Sequence, residues 1–198
     1  MLEFYTATGC NTCPAANRWF SALASRYPPE RLVPVALHVD YLDYTTDARA
    51  RRDVLQRQRR MSMRQRLALV YTPQVLVQGS AYASGDGGEV DRVMAGINAS
   101  RARAQIALQL IASHRGGLQV RAEAASDDEA RLYMATYESR LEGPVILEWT
   151  GPFALGRHEV TLALLPKATP AGSGVVAFVQ KQRTAEVLQA LMLAACSP

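Results

Sequence analysis

The feature that most constrains this chain is Gly9-Cys10-Asn11-Thr12-Cys13-Pro14, because the residues before and after it repeat with different periods. Leu2-Glu3-Phe4-Tyr5-Thr6 alternates like a strand, whereas Ala16, Trp19, Phe20, Leu23 and Ala24 recur at helical spacing between Pro14 and Arg26. Two cysteines thus fall on a strand-to-helix turn. At the start of a helix, unpaired N–H groups and the macrodipole favour a thiolate, so Cys10 is the expected nucleophile. Cys13, one helical turn on, lies within reach to resolve a mixed disulfide. Two other readings fit the same spacing. The pair could form a purely structural disulfide or stay as buried thiols, or it could be half of a copper(I) or zinc site completed by His38 and Asp40.

The pattern continues as β-α-β-α-β-β-α to about Arg103. Leu32 to Val39 is an apolar run expected to be a buried strand, and Asp47 to Leu69 is expected to form one or two helices. Thr72-Pro73 stops that helical pattern, since the residue before a proline is pushed out of the helical region. Gln74 to Gln78 then reads as a strand pairing with Ala81 to Ser84, and a helix opens at Asp86. A proline that opens a strand either merely begins it or holds a cis bond, and residue type does not decide between these. His38-Val39-Asp40-Tyr41 closes the second strand, at the end where open α/β sheets collect ligands.

Beyond residue 103 the helical period disappears. Ile106 to Ala112 and Leu118 to Ala124 alternate around His114-Arg115-Gly116-Gly117, which predicts a hairpin. Strand-like runs follow at 131–138, 144–149, 158–165, 175–182 and 185–193, the last equally helical by residue type. The expected organisation is an α/β domain over 1–103 and an antiparallel, sandwich-like β-rich domain over 104–198.

Charge and composition remove several function classes. Residues 1–115 carry 15 Arg against 9 acidic residues, and residues 116–198 carry 7 basic against 9 acidic, so the basic surplus is in the first half. Eight of those arginines lie between Arg49 and Arg66. They lack the interleaved aromatic residues and the motif of a nucleic-acid site, so they read as a solvated helix face and no nucleic-acid partner is expected. No apolar run approaches the roughly 18 residues of a membrane-spanning helix. No signal peptide precedes the first strand, so the expectation is either a cytoplasmic protein or the mature form of an exported one. Cys196 follows Leu191-Met192-Leu193-Ala194-Ala195 and reads as a small hydrophobic residue. Phosphate loops, dinucleotide fingerprints, the G-x-S-x-G elbow and the zincin motif are all missing, and no cofactor is expected.

A strand, a C-x-x-C at a helix start and a Thr-Pro before a short hairpin resemble the thioredoxin superfamily. More closely, Phe4-Tyr5-Thr6 leading into Gly9 to Pro14, then His38 to Tyr44, Arg57-Gln58 and Tyr71-Thr72-Pro73-Gln74, resembles the bacterial family called domain of unknown function 1223. The resemblance covers residues 2 to 100 and continues more weakly beyond. It implies a thioredoxin-like domain in which Cys10 attacks, Cys13 resolves and Pro73 is a cis-proline packed beside them. It further implies that the Thr72 backbone pairs with an extended peptide; His38, Asp40 and Tyr41 are candidate auxiliary residues from their place at the end of the second strand. The implied partners are protein or peptide thiols and disulfides, and the implied location is the periplasm or the exterior. Asn11-Thr12 replaces the Gly-Pro of thioredoxin and no Trp precedes Cys10, so thioredoxin's potential does not transfer. The second half also lacks a Gly-Glu-Asn segment associated with the family. The two function classes carried forward are a thiol–disulfide oxidoreductase or redox-responsive protein, and a binding module for a metal or a peptide.

Overall fold

A computed structural model of the chain describes residues 1–42, 52–67, 69–82, 87–114, 116–164 and 170–195. Asp43, Tyr44, Asp47, Arg49, Ser84, Asp86, Lys167 and Cys196 lie outside the described residues. The fold is mixed α/β and forms two compact units: Met1–Arg101 with Arg140–Val145, and Ala102–Ser139 with Ile146–Pro198.

In the first unit, β1 (Leu2–Thr6) is central, parallel to β2 (Pro34–His38) and antiparallel to β3 (Gln74–Val77). A turn at Gln78-Gly79, both with positive φ, returns the chain into β4 (Ser80–Tyr82), antiparallel to β3. Gly79, at φ 89°, takes a conformation that costs glycine nothing. The alternation of β1 has a direct structural meaning. Leu2 and Phe4 enter a core with Phe20 and Leu23 of α1 (Cys13–Arg26) and with Val90 and Met94 of α3 (Gly87–Ala99). Phe4 and Phe20 stack with ring centroids 4.9 Å apart. Glu3 and Tyr5 point the other way and meet α2 (Arg52–Arg64).

That helix corrects one expectation. Arg52, Arg59, Arg60 and Arg64 are exposed, as a solvated face requires, but Arg57 is buried and gives its charge to Glu3. A guanidinium leaves water at tolerable cost only against a partner that satisfies it, and Glu3 supplies two oxygens.

The first unit also takes in residues 140–145. Val145, early in β8 (Gly143–Phe153), pairs in parallel with Ala36 of β2.

In the second unit, β5 (Ala104–His114), β6 (Gly117–Ser126) and β9 (Gly156–Ala163) form an antiparallel sheet in the order β5-β6-β9. A second set runs β11-β10-β7 and on to β8, from β7 (Ala130–Arg140), β10 (Ser173–Lys181) and β11 (Val187–Ala194). Inward residues of both sets, among them Leu118, Val120 and Leu162 facing Leu132, Val175 and Val179, share one core. The opposite face of β10 turns Phe178 onto Tyr133 and Trp149. The C-terminal run, ambiguous by residue type, is a strand because Val187 to Ala194 pairs with β10 along its length.

Candidate functional site

Cys10 and Cys13 are joined by a disulfide, with Cα atoms 5.4 Å apart. The helix begins at Cys13, not at Cys10. Thr12 is its N-cap residue and Pro14 occupies the first turn, where a missing N–H costs nothing. Cys10 stands in the preceding turn, its N–H bonded to the Ala7 carbonyl at 3.3 Å and its own carbonyl accepting from Cys13 N–H at 3.3 Å. The helix terminus therefore bears most directly on Cys13. Cys10 is 7% exposed and Cys13 1%, so Cys10 is the sulfur an incoming group meets first. Thr12 Oγ1 lies 3.6 Å from Cys10 Sγ, and its hydroxyl is the donor because a disulfide sulfur carries no proton.

The disulfide opens into a groove of about 660 Å³ within the first unit. On the α1 side it is lined by Asn17, Arg18 and Ser21, and on the other by His38 and Glu142. His38 is the last residue of β2 and Thr6, its partner in the register, ends β1, so the groove lies at the C-terminal ends of two parallel strands. Thr6 Oγ1 donates to Asn17 Oδ1 at 2.9 Å, fixing the first turns of α1 against the strand. His38 is buried, and its Nε2 lies 3.7 Å from Glu142 Oε1, which is 20% exposed. Ser21 Oγ donates to the Leu141 carbonyl at 2.7 Å and holds the 140–145 segment on α1. The Leu141 side chain is 97% exposed there.

Thr72 and Pro73 approach Cys10 from the β3 side. The Thr72–Pro73 bond is cis, and the Thr72 carbonyl oxygen lies 3.8 Å from Cys10 Sγ. Tyr41 follows β2 and its hydroxyl meets Thr72 Oγ1. Of the residues singled out from sequence, Cys10, Cys13 and His38 therefore share the groove, Thr72 touches Cys10, and Tyr41 touches Thr72. Asp40 Oδ1 is buried without a hydrogen-bond partner among the described residues. Sequence reasoning missed Glu142, Leu141 and Gln58. Glu142 and Leu141 carried no local signal, whereas Gln58 stood in a recognisable motif without an assigned role.

Among the described residues no three His, Cys, Asp or Glu side chains form a metal-binding cluster. No described helix is long and apolar enough to cross a membrane.

Comparison with solved structures finds the fold elsewhere. A crystal structure of an Agrobacterium tumefaciens protein matches over 100% of this chain and 94% of its own, with a TM-score of 0.72 and 17% identity. At that identity the likeness concerns the fold. A domain of the outer membrane lipoprotein Omp28 from Porphyromonas gingivalis matches over 48% of this chain and 88% of its own, with a TM-score of 0.41 and 16% identity. No curated protein sequence matches the chain. The model of one family matches residues 1–147, and on that match the chain belongs to the family described as Protein of unknown function (DUF1223).

Proposed function

We propose that the first unit is a thioredoxin-like module and that the protein exchanges thiols and disulfides through Cys10 and Cys13. The observation that carries this reading is the placement of the pair: a disulfide at the start of α1 that lines an open groove, with Cys10 the less buried of its two residues. The Thr72–Pro73 segment against Cys10 and the titratable pair His38–Glu142 in the same groove add support.

In the reducing direction, Cys10 thiolate attacks one sulfur of a substrate disulfide. A Cys10–substrate bond forms and the second substrate sulfur leaves as a thiolate. Cys13 then attacks Cys10 Sγ, the intramolecular disulfide forms, and the first substrate sulfur leaves. Two electrons pass to the substrate, and the protons lost by Cys10 and Cys13 end on the two substrate thiols. The reverse sequence oxidises a substrate dithiol. His38 and Glu142 are the groove's groups able to hand protons to departing thiolates. The side of Cys10 next to Thr72 suits an extended protein segment pairing with the backbone there. We infer an extracytoplasmic location from the family resemblance, since an exchange disulfide by itself fits either side of a membrane.

The test is trapping with Cys13→Ser in cells that make the protein natively. Mixed disulfides through Cys10 are expected to accumulate and to vanish in the Cys10→Ser/Cys13→Ser variant. Equal adduct levels in the two variants would overturn the reading.

A further inference from the structure

Gln58 lies on α2 in the middle of the first unit, with its side chain fully buried. Its Nε2 donates to the Tyr71 carbonyl at 2.8 Å and to Gln74 Oε1 at 2.9 Å. These acceptors sit immediately before and after Thr72-Pro73. A carbonyl can only accept, so the Tyr71 contact fixes which end of the Gln58 amide faces the loop. Both protons of one NH₂ group are used, one on each side of the dipeptide.

The helix that carries Gln58 is itself anchored. Arg57, the preceding residue, binds both oxygens of Glu3 on β1, so α2 cannot slide along the sheet without breaking that pair. From the opposite side, the Tyr41 hydroxyl meets Thr72 Oγ1. Gln58 thus holds the residues on either side of Thr72-Pro73 and Tyr41 meets Thr72 itself, and the Thr72 carbonyl oxygen lies 3.8 Å from Cys10 Sγ. Once the disulfide is reduced, that oxygen is within reach of a Cys10 S–H, and its partial negative charge opposes a thiolate at the same place. Hydrogen bonding to the neutral form of a group disfavours its ionised form.

We propose that Gln58 is a positioning residue for Cys10: by clamping Tyr71 and Gln74 it holds the Thr72 carbonyl against the Cys10 sulfur and so limits the thiolate fraction of that cysteine. This rests on the exchange reading of the Cys10–Cys13 pair and supplies its control, since a nucleophile whose ionisation is restrained attacks only when a substrate strand displaces or engages the Thr72 backbone. Gln58 itself touches neither sulfur nor substrate.

Other charged or titratable groups near Cys10 are Arg18 on α1, His38 on β2, Glu142 on the 140–145 segment and Tyr41 beside Thr72, and all of them are present in both proteins compared.

The experiment uses the full chain carrying Cys13→Ser, with and without Gln58→Met. Iodoacetamide alkylation of Cys10 is followed across about pH 5 to 9, read by mass spectrometry at the Cys10 peptide so that Cys196 does not contribute. Gln58→Met keeps the length of the side chain and removes the amide. The expected result is a downward move of the alkylation midpoint by about half a pH unit, or roughly threefold more thiolate at a fixed pH below it. General loosening would raise the alkylation rate at every pH and leave the midpoint where it was. An unmoved or raised midpoint overturns the proposal. Should Gln58→Met fail to fold, Tyr41→Phe, which removes the other grip on Thr72, is measured in the same way, and an unmoved midpoint there overturns it equally. Trapping of partners by the Cys13→Ser parent reports separately on the exchange reading, and the alkylation midpoint does not depend on whether a partner is caught.

Discussion

Arg57 Nε and Nη2 donate to the two carboxylate oxygens of Glu3 at 2.7 and 2.8 Å, and both side chains are buried. The Tyr5 hydroxyl donates to the same carboxylate at 2.8 Å, so a single acid on β1 collects an ion pair and a phenol beneath α2. Removing one member leaves the other charge buried and uncompensated. Arg57→Met should destabilise the protein by about 3–5 kcal/mol, measured as a loss of denaturant midpoint. The double change Glu3→Gln/Arg57→Met should recover much of that loss. A single variant within about 1 kcal/mol of the parent would show that α2 is not anchored there.

Burial, and then the neighbouring Glu3 charge, raises the Tyr5 hydroxyl well above its ordinary pKa of 10.0. Below that ordinary value Tyr5 is protonated in both folded and unfolded chains, and its contribution is fully present. As pH climbs past it the unfolded chain ionises first, so stability falls progressively toward the folded value. Tyr5→Phe should therefore keep a larger share of its neutral-pH stability at about pH 11 than the parent does, in chemical denaturation at the two pH values. Tyr137, also raised by burial, remains in both proteins and does not affect the comparison.

Much of this arrangement is written locally in the chain, and some of it is not. The alternation of Leu2 to Thr6 and the helical spacing after Pro14 announce β1 and α1, because each element buries one face and repeats with its own period. The start of α1 is less legible. The helix begins at Cys13 and not Cys10, with Thr12 in the N-cap position but making no side-chain capping hydrogen bond that would mark it. Arg57 hides among exposed arginines because its partner Glu3 lies 54 residues away, and no local pattern distinguishes a buried guanidinium from a solvated one. Glu142 and Leu141 reach the groove through contacts distant in sequence, Val145 pairing with Ala36 and the Leu141 carbonyl accepting from Ser21, which no period or turn signal announces. Glu186 to Ala195 reads equally as helix or strand, and the pairing of Val187 to Ala194 with β10 decides it.

Two glycines should respond in opposite senses to alanine. A Cβ on Gly174 would fall 2.4 Å from the Leu193 carbonyl oxygen and 2.4 Å from the Tyr137 hydroxyl, so the β10–β11 pairing must yield. Gly174→Ala should cost about 1–3 kcal/mol or more. Gly96, inside α3, has nothing within 4 Å of that position, and Gly96→Ala should stabilise by about 0.5–1 kcal/mol through helix propensity. Thermal melts of the two variants check both signs.

His38 and Glu142 stand 3.7 Å apart in the groove that holds the disulfide. If they move protons for the exchanging sulfurs, His38→Asn and Glu142→Gln should each slow exchange with a disulfide-containing peptide by at least about tenfold, and the double variant should be little slower than either. Independent, multiplying losses would mean that the two residues do not act as a pair.

The most direct test of the central claim is the redox equilibrium of the full-length protein with glutathione buffers, followed by the mass shift on alkylating Cys10 and Cys13. The account predicts that the Cys10–Cys13 bond opens and closes reversibly at a potential above about −300 mV, within the range of proteins that exchange disulfides. A bond that stays oxidised below about −300 mV would make it a structural staple and contradict an exchange function.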